Sequence, residues 1–126
     1  MQDFRQLKVW QMAHQLTLEI YRATKDFPKE ELYGLTSQIR RGCSSIPTNI
    51  AEGCGRGSDL DFARFLQIAM GSACELEYLL ILSHDLALIS PVLQEQLMPK
   101  VVEVKRMLTG LMQRVRGGNA PLAESG

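Results

Sequence analysis

With 126 residues, 45% of them apolar, the chain is long enough to bury one core and reads as a single domain. Fourteen Lys and Arg balance fourteen Asp and Glu, so bulk charge argues for neither a nucleic acid nor a membrane surface. No run of eighteen uninterrupted apolar residues occurs, so no transmembrane span is expected.

Residues 4–26 read as the first helix. Val9, Ala13, Leu16, Ile20, Ala23 and Phe27 repeat in steps of four and three, the spacing of one helix face. Leu7, Trp10 and Tyr21 widen that face, and Pro28 ends the helix by pushing its predecessor out of helical geometry. A second helix is expected from Lys29 or Glu30, with Leu32, Leu35, Ile39, Cys43, Ile46 and Ile50 as its seam. Pro47 removes a backbone donor within it, which predicts a kink or short break around Gly42 to Ser45. Gly53, Gly55 and Gly57 stop it.

The third helix is expected from Ser58 to about Ile89. Ser58 suits the cap, with Asp61 three residues on to reach back. This helix carries two apolar seams. One is Phe62, Leu66, Ala69, Ala73, Leu76, Leu80, Ser83 and Ala87; the other is Phe65, Ile68, Ser72, Glu75, Leu79, Leu82, Leu86 and Ile89. A helix at the edge of a bundle needs one stripe, so the second marks a helix central in its own domain or one that also meets another subunit. Ser90 and Pro91 open the fourth helix as cap and first residue, and Leu93, Leu97, Val101, Val104, Leu108, Leu111 and Val115 form its seam. Pro99 should kink it or divide off its first turns. From Gly117 the tail has no periodicity and is expected to be disordered, giving a bundle over 1–116 and a tail over 117–126. With no strand signal, the fold class is all-α, an antiparallel up-down-up-down four-helix bundle.

Chemistry is sparse. The N-terminus lacks a signal-peptide core, and Cys43, Cys54 and Cys74 suit buried, reduced thiols of a cytoplasmic protein. A di-iron bundle needs a Glu three residues before a His; His14 and His84 have Gln11 and Ile81 there instead. No metal and no cofactor is expected. The stretch Gly53-Cys54-Gly55-Arg56-Gly57 follows a helix, lacks the Lys-Ser/Thr of a P-loop and precedes Asp59 and Asp61, so it reads as helix termination. Neither His has a local partner that would make a nucleophile–base set, so the chain is read as not an enzyme.

Two polar features remain. Gln38, Arg41, Ser45, Asn49, Glu52 and Arg56 share one side of the second helix, either as a binding face or as a network serving groups freed by Pro47. Basic residues gather unevenly: Arg40, Arg41 and Arg56 flank the second helix's end, and Lys100, Lys105, Arg106, Arg114 and Arg116 load the fourth. Repeated around an oligomer, such charges would form a basic surface for a nucleic-acid backbone.

Four stretches then read together: Leu7-Lys8-Val9-Trp10, Leu32-Tyr33-Gly34-Leu35-Thr36-Ser37-Gln38-Ile39-Arg40-Arg41, Ser45-Ile46-Pro47-Thr48-Asn49-Ile50-Ala51-Glu52-Gly53, and Phe65-Leu66 with Ala69, Gly71, Ser72 and Glu75-Leu76-Glu77. Up to about Arg116 the chain resembles the bacterial 23S rRNA intervening-sequence protein family. The resemblance implies a four-helix bundle assembled as a ring-like homopentamer with no established enzymatic activity. It also includes accessory proteins of diversity-generating retroelements, which bind nucleic acid and a reverse transcriptase through a basic surface. On this reading Arg40, Arg41, Arg56, Lys105, Arg106, Arg114 and Arg116 are the phosphate contacts. Ser45, Pro47, Asn49, Glu52 and Gly53 shape the second helix, and Phe65, Ile68, Ser72, Leu79, Leu82 and Leu86 face another copy. Expected partners are the chain itself, RNA or DNA, or another protein acting on a scaffold, and no membrane.

Overall fold

The computed structural model describes residues 3–117; of the tail expected over 117–126, Gly117 is the last residue of a helix and the rest lies outside the described residues. Among the described residues there are four α-helices and no strand: α1 (Lys8–Ala23), α2 (Leu35–Cys54), α3 (Asp59–Asp85) and α4 (Pro91–Gly117). They enclose one apolar core, to which all four contribute fully buried side chains such as Leu16, Ile39, Leu76 and Leu108.

The N-terminal segment is not one helix. Asp3 accepts from the Arg5 backbone N–H at 3.0 Å and caps a single 3-10 turn, Phe4–Gln6. Leu7 is extended and wholly buried, so the chain restarts at Lys8. At the far end Thr24 bonds back to the Ile20 carbonyl at 2.8 Å, and a 3-10 turn leads to extended Phe27 before Pro28. The second helix also begins later than its acids suggest. Lys29–Glu31 forms one 3-10 turn, and Gly34, with ψ −109°, separates it from Leu35.

α2 then runs without a break through Pro47, which is buried in its interior. The proline leaves the Cys43 carbonyl without its helical donor. That carbonyl faces the Thr17 hydroxyl of α1 at 3.5 Å, so the freed group turns toward a neighbouring helix instead of ending α2. Gly53 does not terminate the helix either. It is inside α2, and a β-carbon there would stand 2.8 Å from Phe62 Cδ1 and 2.9 Å from Phe65 Cβ. The glycine lets the two helix backbones approach.

Ser58 caps α3 as expected, its hydroxyl accepting from Asp61 N–H at 3.1 Å. The helix ends at Asp85, short of Ile89, because Ala87 takes a left-handed backbone (φ 60°). Leu88 N–H then reaches the Ser83 carbonyl and Ala87 N–H the His84 carbonyl, both at 2.9 Å, which is the Schellman pattern. Ser90 caps α4 through Leu93 N–H at 3.1 Å, and α4 continues unbroken past Pro99.

Side-chain pairs locate the neighbours. Thr17 meets Cys43 and Thr24 meets Arg40 between α1 and α2. Ser45 meets Ser72, and Gly42 meets Glu75, between α2 and α3. Glu77 meets Lys105 and Gln67 meets Arg116 between α3 and α4, and Glu19 meets Lys100 between α1 and α4. The first seam of α3 is buried from Phe62 to Ser83. Part of the second packs on α2: Phe65 and Leu79 are buried in the chain, while Ile68 and Leu86 stay 44% and 54% exposed. By length and composition α3 is apolar enough to cross a membrane; its first stripe is packed inside the bundle, where α3 lies between α2 and α4.

Candidate nucleic-acid interface

The seven basic residues do not converge on one site. Arg56 pairs with Glu52 at 3.8 Å, and its guanidinium lies 4.7 Å from the Phe65 ring centroid. Arg64, which the sequence reading did not single out, lies 5.0 Å from the same ring and pairs with Asp61 at 3.5 Å. Arg116 donates to the Gln67 side-chain carbonyl at 3.1 Å. A cleft of about 720 Å³ opens there, walled by Arg64, Gln67, Val115 and Arg116 but also by Asp59 and Asp61. Further along α4, Lys105 donates to Glu77 at 2.6 Å, a bond that raises its pKa. Arg106 is held by Glu103 through two bonds, and the same bonds lower the Glu103 pKa. Arg114 sits half-buried on the last turns of α4, its Nε shut from water.

Arg40 and Arg41 differ. Arg40 is built into the fold: its Nε donates to Thr24 Oγ1 at 2.8 Å, and its guanidinium covers the Tyr21 ring at 4.9 Å. Arg41 is exposed: its backbone carbonyl accepts from the Ser44 hydroxyl at 3.3 Å, but its guanidinium makes no hydrogen bond, ion pair or ring contact among the described residues. Both line a cleft of about 420 Å³ at the start of α2, together with Tyr21, Leu32, Tyr33, Thr36, Ser37 and Ser44. Tyr33, on the turn before α2, is 94% exposed. Its one sequence signal is a bulky aromatic placed off every helical seam, just before a glycine.

The residues around Pro47 form a local polar network. The Asn49 amide donates to the Ser45 carbonyl at 2.8 Å and to Ser45 Oγ at 2.9 Å, and Ser45 Oγ shares a 2.8 Å hydrogen bond with Ser72. The Glu52 carboxylate stands apart from this network and pairs with Arg56. This ties α2 to α3 across a half-buried notch.

The two histidines keep separate surroundings. His14 stacks on Trp10 with centroids 5.0 Å apart, and His84 lies 3.6 Å from Asp85. Among the described residues no three His, Cys, Asp or Glu side chains group as a metal would need. Cys43 and Cys54 are buried, and burial pushes their thiols up to about 11. Cys74, expected to be buried with them, is exposed on α3, because its position falls off both packed seams.

No curated protein matches this chain. Among solved structures it is similar to a protein of unknown function from the S23 ribosomal protein family of Bacteroides thetaiotaomicron VPI-5482. The TM-score is 0.78 at 25% identity, over 83% of this chain and 98% of that one. The model of the 23S rRNA-intervening sequence protein family matches residues 5–110. On that match, which spans α1, α2, α3 and most of α4, the chain belongs to the 23S rRNA-intervening sequence protein family.

Proposed function

We propose that this chain is a non-catalytic, cytoplasmic accessory factor for nucleic acid or ribonucleoprotein, working as a ring-like homopentamer of antiparallel up-down-up-down bundles. The observation that carries the nucleic-acid reading is Arg41: an exposed guanidinium with no partner among the described residues, beside Arg40 on an open cleft. The paired cations Arg56, Lys105, Arg106 and Arg116, with Arg114, would extend the contact by exchanging their internal partners for phosphates. Repetition around a ring would supply the several contacts that one neutral subunit lacks.

The helix order is supported by the pairs Thr17–Cys43 and Thr24–Arg40, Ser45–Ser72 and Gly42–Glu75, and Glu77–Lys105 and Gln67–Arg116. In each set the numbers rise on one helix as they fall on its neighbour. The assembly is supported by large apolar side chains left about half exposed on α3, Ile68, Tyr78 and Ile81, and by Leu86 just after it. Light scattering should give about five times the 14.1 kDa chain mass; a monomer would remove the ring from the proposal.

The test of function is titration with fluorescent single-stranded RNA and duplex DNA at several salt concentrations. Affinity that falls steeply with salt, each released contact adding about 0.7–0.9 to the log–log slope, supports the reading. No binding at low salt favours a second one, a protein-interaction scaffold. That alternative draws on the same apolar side chains of α3 and on the carboxylates already paired with Arg56, Lys105 and Arg106.

A further inference from the structure

Among the described residues, the cleft at the start of α2 combines a bare aromatic ring, Tyr33, with a cation that has no charge partner, Arg41. Tyr21 is not available, since the Arg40 guanidinium lies over its face, held there by Thr24. Tyr33 keeps its ring open at the cleft wall, with half-exposed Leu32 beside it and the hydroxyl-bearing Ser37 and Ser44 further in. Arg41 lines the same cleft, and the acids nearest in sequence, Glu30 and Glu31, do not. The larger cleft between α3 and α4 has Arg64 and Arg116 but places Asp59 and Asp61 in its wall, which disfavours an anion.

We propose that this cleft takes one unpaired base of a single-stranded nucleic acid, stacked on Tyr33, with an adjoining phosphate on Arg41. The inference rests on the nucleic-acid reading above and narrows it. Stacking on an aromatic side chain needs an exposed base face, and a duplex keeps its base faces inside. A phosphate contact alone would treat single and double strands alike except for their charge density. The cleft volume is within the range of small-ligand sites, enough for a nucleotide and not for a helix.

The experiment measures binding of a short fluorescein-labelled oligouridine, its abasic counterpart and an RNA duplex to the full chain. Wild type is compared with Tyr33→Ala, Tyr33→Phe and Arg41→Gln. Tyr33→Ala should weaken oligouridine binding about tenfold and leave the duplex unchanged. Tyr33→Phe, which keeps the ring, should bind as wild type. The abasic strand should bind wild type no better than oligouridine binds Tyr33→Ala. Arg41→Gln should lower the salt slope by about 0.7. If wild type binds RNA but Tyr33→Ala binds oligouridine equally well, or loses duplex and single strand together, the stacking site is wrong and the broader reading stands. If wild type binds no nucleic acid at low salt, both fall. Because Tyr33 is almost wholly exposed, its replacement leaves the core intact.

Discussion

Gly53 of α2 lies against Phe62 of α3 so closely that a β-carbon would stand 2.8 Å from the ring edge. Inside a helix, Gly→Ala ordinarily stabilises by about 0.5–1 kcal/mol. Here the contact reverses the sign. Gly53→Ala should destabilise the chain by about 1–3 kcal/mol through overpacking against Phe62 and Phe65. Gly71→Ala, where a β-carbon meets nothing within 4 Å, should stabilise it. Urea unfolding of the two variants decides the matter; equal shifts in one direction would rule out the close approach.

The end of α3 supplies the opposite case. Ala87 has the left-handed backbone that glycine adopts freely, and it is exposed, so its methyl group adds little to the core. Ala87→Gly should raise stability by about 1 kcal/mol, and Ala87→Val should lower it by at least as much. Thermal unfolding will show whether the two variants move Tm apart.

Thr36 is buried, and its hydroxyl oxygen has no partner among the described residues. A valine has the same shape without the stranded polar group. Thr36→Val should therefore stabilise the chain by about 1 kcal/mol, against the usual loss for that exchange. A loss of stability on unfolding would mean that the hydroxyl is satisfied in solution.

The thiols separate by exposure. At pH 8 a thiol reagent should label Cys74 rapidly and leave Cys43 and Cys54, raised to about 11, unlabelled until the chain unfolds. The raised values also fix a sign. The folded state holds these protons more tightly than the unfolded state, so the contribution is whole below about pH 9 and is lost as pH rises toward 11. Unfolding free energy should fall more steeply across that window in wild type than in a Cys43→Ala, Cys54→Ala variant.

The core was legible because burial selects for spacing: Val9, Ala13, Leu16 and Ile20 repeat as a buried face must, and all four are buried. The caps Ser58 and Ser90 were legible because an N-cap is local chemistry. Three features were not. Leu7 breaks the first helix to bury its own side chain, Gly53 answers to a contact with Phe62, and Ala87 does what propensity assigns to glycine. Each depends on where another helix lies. The same limit applies to the basic residues. Lys105 meets Glu77 and Arg116 meets Gln67 across helices, so the sequence could name the cations but not say that Arg41 is left unmatched.

Residues 24–34, the connection between α1 and α2, carry both Tyr33 and the short turns on which it stands. The other two connections, at 55–58 and 86–90, are closed by helix caps and glycine-like turns. The bundle is thus divided between a part where change is expensive and a part where it is cheap. Substitutions, insertions or a swapped turn between Lys29 and Gly34, past the buried Thr24 and Phe27, would reshape the mouth of the cleft while the packed seams carry the stability. Copies of this fold can therefore drift in what they hold at that end without re-evolving the scaffold that presents it.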